Sequence, residues 1–187
     1  SNLSVGYDNN LVIKDFSLNL KAGEKLIIFG PNGSGKTTLL KTILGILKPS
    51  SGYIKFEKDE TIAYCKQDFP NPEFPILVEE VVAMGLYKNK SIKSNEAKKQ
   101  IDYALKKANA ENLKGRLFYS LSGGERQRVS LARCYCQNAK ILLLDEPSSF
   151  LDMQSKKMFL EQMKNFESES FSVIAVSHDE QLIKELN

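Results

Sequence analysis

Two short stretches of this sequence concentrate residues able to do chemistry. Gly30-Pro31-Asn32-Gly33-Ser34-Gly35-Lys36-Thr37 matches the pattern G-x-x-x-x-G-K-[ST]. Its glycines let successive backbone N–H groups converge on one anion, and a helix starting after them points its positive dipole end the same way. Lys36 supplies a mobile cation for the outer phosphates of a nucleotide, and Thr37 a hydroxyl placed for Mg²⁺. The second stretch, Ile141-Leu142-Leu143-Leu144-Asp145-Glu146-Pro147, ends an apolar run in two carboxylates. Strand alternation sends the two to opposite sides. One can then hold a metal ion through water while the other faces an attacking water. Alone, the first stretch could be a Gly-rich turn and the second a strand ending in solvated acids. Together they point to phosphate chemistry, because a buried carboxylate needs a partner to offset its desolvation.

A third stretch, Leu121-Ser122-Gly123-Gly124-Glu125-Arg126-Gln127-Arg128, opens a helix with an N-cap hydroxyl and two glycines. It is a second ready anion site. One nucleotide does not need two such sites in one chain, whereas two chains head to tail would use both. At these residues the sequence resembles the ATP-binding cassette (ABC) ATPases, over nearly its whole length from Leu3 to about Lys184.

The resemblance implies roles for further residues in family order. Tyr7 is similar to the adenine-stacking aromatic, and Gln67 sits where a glutamine contacts metal and water. Ser149-Phe150-Leu151-Asp152 resembles the D-loop, with Phe150 where a small residue is common, and His178 stands at the switch-histidine position. The implied catalytic residues are Glu146, His178 and Gln67. Tyr7, Gly30, Pro31, Asn32, Gly33, Ser34, Gly35, Lys36, Thr37 and Thr38 would bind ATP, with Ser122, Gly123 and Gly124 completing the opposite site. Thr37, Gln67 and Asp145 would organise Mg²⁺.

The activity so implied is ATP hydrolysis at two composite sites of a head-to-tail dimer of ATPase subunits. A separate integral-membrane permease would carry the cargo, and the chain would sit in the cytoplasm against the inner face of the membrane. Phe74 to Gly85 is similar to the corresponding stretch of metal-ion and iron-chelate uptake ATPases. The competing reading is a soluble ABC-type ATPase for iron–sulfur assembly or DNA maintenance. A non-hydrolysing regulatory module is a third, which the presence of both Glu146 and His178 disfavours.

The elements that must position these residues follow from hydropathy. Leu3–Tyr7 alternates like a strand, as do Phe16, Leu18 and Leu20, while Lys25–Phe29 reads as a strand covered on both faces. Leu39, Leu40, Ile43, Leu44 and Leu47 recur at helical spacing up to Pro49-Ser50-Ser51-Gly52. Short strands are expected over 53–56, 61–65, 141–144 and 171–176. Helices are expected over 78–86, 95–108, 122–137, 154–166 and 179–186. Strands and helices alternate at both ends, so the fold class is α/β: a P-loop core with a mainly parallel sheet covered by helices on both faces. The resemblance adds antiparallel strands near the N-terminus. Residues 1–187 form one domain, and 70–137 read as an inserted helical subdomain. Ile76, Leu77, Val81, Val82 and Met84 are assigned to core packing with a share in a membrane partner's contact.

Composition sets the outer bounds. The 187 residues are 42% hydrophobic and 26% charged, which suits one globular domain rather than disorder or a coiled coil. A net charge of +3 is too small to argue for nucleic acid, and none is expected as a partner. The lysines at 88, 90, 93, 98, 99, 106 and 107 read as a solvated surface. No apolar stretch approaches the ~18 residues of a membrane helix, and the opening residues read as a strand rather than a signal peptide. Cys65, Cys134 and Cys136 lack C-x-x-C spacing and suit reduced thiols in packing positions. Only nine residues follow His178, so the family's usual final strands are largely missing from the sequence, and no extra regulatory domain is expected.

Overall fold

Leu142, Leu143 and Leu144 cannot all face one side of a strand, and the structure buries every one of them. The computed structural model describes residues 1–7, 10–57, 60–66, 74–87, 91–149, 151–165 and 171–180, with only the backbone for 162–165. The element order is β1 (Leu3–Tyr7), β2 (Asn10–Phe16), β3 (Lys25–Phe29), α1 (Lys36–Ile43), β4 (Ile62–Cys65), α2 (Val78–Ala83), α3 (Ser94–Lys107), α4 (Gly123–Cys136), β5 (Ile141–Asp145), α5 (Met153–Asn165) and β6 (Ser172–Ser177). Strands β3, β6, β5 and β4 pair in that order, all parallel. Strands β1 and β2 form a separate antiparallel pair.

The apolar runs of β5 and β6 are explained by helices on both faces. Leu142, Leu144, Val173 and Ala175 join a core with Val81 and Val82 of α2, Leu105 of α3 and Leu131 of α4. Leu143, Ile174 and Val176 point the other way and pack on Leu40 of α1. Each fully buried Leu or Val contributes ~1.5–3 kcal/mol, so the two central strands anchor the domain. Residues 78–86 follow the sequence reading closely, with one 3₁₀ turn, Met84–Leu86, added to α2. Of the apolar set after the glutamine position, Ile76, Val81 and Val82 are core and Met84 is exposed. Lys93, Lys98, Lys99 and Lys106 are exposed at and along α3, whereas Lys107 is half-buried with its ammonium 5.7 Å from the Tyr103 ring; Lys88 and Lys90 lie outside the described residues.

Three local expectations change. The second strand is Asn10–Phe16, not 16–20, because its partner is the backbone of β1 rather than a hydrophobic face. Leu18 and Leu20 still pack beneath the sheet without forming a ladder. Residues 53–56 form no strand: Tyr53 exchanges backbone hydrogen bonds with Ser1 (3.3 and 2.8 Å), and beside it stands an isolated bridge, Ser4 to Ser51. Helix α1 closes at Ile43, and the carbonyls of Leu40, Lys41 and Thr42 accept from the N–H groups of residues 44–47. Of the expected 179–186 helix, everything after Glu180 lies outside the described residues.

Cys65, Cys134 and Cys136 are buried, and burial pushes the Cys136 thiol up to about 11. Among the described residues, no helix is long and apolar enough to cross a membrane.

Candidate functional site

The C-terminal ends of β3, β5 and β6 meet where three loops leave the sheet, as is general for ligand sites on open parallel sheets. The loop after β3 starts with Gly30, whose N–H donates to Ser177 O at the end of β6 (3.3 Å). It ends with Gly35, the N-cap of α1, at φ 91°. A Cβ there would stand 2.7 Å from Val12 Cγ1, so both conformation and space demand glycine. The same approach packs β2 against the loop.

Lys36 is buried and folds back on its own loop. Its ammonium donates to Gly30 O (2.7 Å) and Pro31 O (3.0 Å) and lies 3.2 Å from Glu146 Oε1. The Thr37 hydroxyl donates to Asp145 Oδ1 (3.0 Å). The other carboxylate oxygen, Oδ2, accepts from the Tyr64 hydroxyl at 2.8 Å. Burial, and then the Asp145 carboxylate, push that hydroxyl's pKa up, so Tyr64 stays protonated as a donor.

Strand β5 stops at Asp145. Glu146 follows in the left-handed region at φ 47°, rare for a residue with a Cβ. The turn overrides strand alternation: Asp145 and Glu146 do not serve opposite sides but contact the neighbouring residues Thr37 and Lys36. Glu146 Oε2 lies 2.8 Å from His178 Nδ1 and accepts from the His178 backbone N–H (3.3 Å) and from Ser149 Oγ (3.3 Å). Burial raises the Glu146 pKa. The hydrogen bonds from His178 and Lys36 outweigh it, and the carboxyl is held below its ordinary value. Beside it, Ser148 Oγ and Lys156 Nζ both donate to Asp179 Oδ2, at 3.1 and 2.7 Å.

Lys36, Thr37, Asp145, Glu146 and His178 therefore share one constellation. Gly30, Pro31, Asn32, Gly33, Ser34 and Gly35 form its loop, with Thr38 the third residue of α1. Tyr7 is 46% exposed on the β1–β2 pair that packs on Gly35. Gln67 and Phe150 lie outside the described residues.

The Ser122 motif stands apart from this constellation. Ser122 caps α4: its Oγ accepts from Glu125 N (3.3 Å), and Glu125 Oε2 accepts from Ser122 N (2.8 Å). Arg116 fixes Glu125 from outside at 2.7 Å. Gly124 lies against Ser155 of α5, where a Cβ would come 2.5 Å from the hydroxyl, while Ser122 and Gly123 are exposed. These residues contact their own helix and α5 rather than the Gly30–Thr37 loop.

Sequence reasoning missed Tyr64, Ser148 and Asp179. Tyr64 could have been found only from the β4–β5 register, which lies in the sheet and not in any motif.

The ABC transporter family model matches residues 13–149. The chain is 35% identical over 191 residues to the chelated iron transport system membrane protein YfeB of Yersinia pestis, covering 95% of this chain and 64% of that protein. It is 38% identical over 180 residues to the zinc import ATP-binding protein ZnuC of Ehrlichia canis, covering 95% and 72%. The chain thus spans about two thirds to three quarters of these relatives' lengths. Among solved structures, an inward-facing metal-chelate type ABC transporter superposes with a TM-score of 0.90 at 30% identity, covering 99% of this chain and 74% of that one. The dimeric post-hydrolysis state of the ATP-binding cassette MJ0796 with ADP and Pi superposes with a TM-score of 0.80 at 28% identity, covering 98% and 89%.

Proposed function

This chain belongs to the ABC transporter family as one of its ATPase domains, and from that premise we propose that it powers import of a metal ion or metal chelate through a separate membrane-spanning subunit. The contact that supports the reading best is the cluster joining Lys36 and the exposed Thr37 to the buried Glu146 and Asp145.

In the proposed cycle, ATP binds with its phosphates on the loop amides of 30–37, and Lys36 exchanges its carbonyl contacts for phosphate oxygens. Tyr7 stacks on the adenine. The donor set suits Mg²⁺, since Thr37 and Asp145 offer hard oxygens already in contact; with Gln67 they would hold it. When bound, the ion neutralises charge on the phosphate oxygens. Glu146 accepts a hydrogen bond from the attacking water at its carboxylate and so orients it. His178, next to Glu146, steadies the terminal phosphate. Ser122, Gly123 and Gly124 of a second ATPase subunit close the site. Catalysis is then mostly positioning and charge stabilisation.

Residues 1–187 act as one nucleotide-binding domain, with 70–137 as an inserted helical subdomain facing the membrane subunit. The exposed Phe74, Met84 and Tyr87 suit such a contact. The domain works in the cytoplasm, on the inner face of the membrane. The importer reading rests on the names of the iron and zinc transport relatives.

Co-purification from membranes tests it. Recovery of a multi-span membrane protein, together with metal uptake that fails when the chain is depleted, is expected. Recovery with iron–sulfur assembly proteins instead would replace this reading with the soluble one.

A further inference from the structure

We propose that Tyr64 is a positioning residue for the metal-binding carboxylate, holding Asp145 so that one defined oxygen faces the phosphate loop. The proposal rests on the reading of Asp145 as a Mg²⁺ ligand. Strands β4 and β5 are parallel, and Tyr64 pairs with Leu143. Residues 143 and 145 share a face, so Tyr64 and Asp145 lie on the same side of the sheet, the side that packs on α1. They are two residues apart along the strand axis, ~6.6 Å. A serine or threonine on β4 could not reach that far; a phenol can, and its hydroxyl lies 2.8 Å from Asp145 Oδ2.

A carboxylate turns easily about its last bond, and either oxygen can then face a metal. Here Thr37 takes Oδ1 and Tyr64 takes Oδ2, at 3.0 and 2.8 Å. With both held, Oδ1 stays directed at the first residues of α1 and Oδ2 is kept out of the site. Ile62, Leu143 and Ile174 pack in the same cluster as the half-buried Tyr64 ring, so the hydroxyl is fixed by packing rather than by the carboxylate alone. Such an outer partner orients a ligand without touching the ion.

Tyr64→Phe removes the hydroxyl and keeps the ring. Binding of a fluorescent ATP analogue is titrated with Mg²⁺ and, separately, in EDTA. The Mg²⁺ concentration for half-maximal effect should rise about tenfold, the low end of what a hydrogen bond to a charged group contributes. Affinity in EDTA should stay within about twofold, because the loop that binds phosphate is untouched. In an Asp145→Asn background the same Tyr64 substitution should add no further shift, since its target has lost its charge. Coincident Mg²⁺ curves for wild type and Tyr64→Phe would overturn the proposal. So would an equal fall with and without Mg²⁺, or an undiminished shift in the Asp145→Asn background. Tyr64→Met, which also lacks the hydroxyl, replaces Phe if that variant does not fold. A wild-type protein whose nucleotide binding ignores Mg²⁺ would refute the Asp145 reading itself, a result distinct from any of these.

Discussion

At the scale of the residue, Glu146 carries the most. Its carboxylate takes Lys36 on one oxygen and His178 on the other, so removing its charge should alter chemistry more than binding. Glu146→Gln is expected to bind ATP and lose turnover about 10²–10⁴-fold, the range a positioned base supplies; single-turnover hydrolysis measures it. The same carboxyl has a pKa lowered by folding. It therefore adds stability above the unfolded value near ~4.3, and that stability is lost as pH falls through the folded pKa. Thermal melts of wild type and Glu146→Gln should converge at acid pH and separate above it. A second substitution, Lys36→Ala, removes the ammonium that three oxygens hold. Mg-ATP affinity should fall strongly, and the ligand-free protein should lose up to about 3 kcal/mol because the buried Glu146 carboxylate loses its ammonium partner. Unchanged affinity in a binding titration would remove the loop from consideration as the phosphate site.

At the scale of the element, helix α4 links core packing to the exposed Ser122–Gly123 turn, the proposed second anion site. One face buries Val129, Leu131 and Ala132, while its first turn is held by the Ser122–Glu125 exchange and by Arg116. Glu125→Ala breaks two of these contacts, those to Ser122 N–H and Arg116, and leaves the backbone N–H bond to Ser122 Oγ and the core untouched. We expect a stability loss of ~0.5–2 kcal/mol, or a few degrees in Tm for a domain of this size, with Mg-ATP binding to the isolated chain unchanged. ATP-dependent pairing of chains should weaken, because the exposed Ser122–Gly123 turn loses its fixed shape. Sedimentation with and without ATP distinguishes the two effects.

For the whole molecule, the two glycine-bearing helix starts, at Lys36 and Gly123, bear on how many chains make the proposed site. The loop of 30–37 and the Ser122 turn make separate sets of contacts within this chain. Mixing Lys36→Ala chains with Ser122→Arg chains should restore part of the ATPase activity that each lacks alone. A mixed head-to-tail dimer has one doubly damaged site and one intact site. Where the two sites must fire together, rescue is masked. The accompanying measurement is an interchain crosslink between cysteines placed at Ser34 and Ser122, expected only with ATP. Absence of both rescue and crosslink would rule out the shared site.

The α/β class, the two apolar central strands, α1 to α5 within a few residues, and the glycine-rich loop of 30–37 are all legible in the sequence. Each of these depends on local pattern: glycine spacing, a four-residue apolar run, a helical period. The sequence also carried enough of the motif order to point to the family. The tertiary structure decided what depends on chain segments far apart. The β1–β2 pairing escaped the pattern because β2 is mostly exposed and carries no core stripe. The turn at Glu146 defeated simple alternation because a left-handed residue redirects its side chain. Lys36 meets Glu146, and Tyr64 meets Asp145, across 110 and 81 positions. Such contacts are set by the order β3-β6-β5-β4 and its register, which hydrophobic burial selects for the sheet as a whole and no single segment encodes.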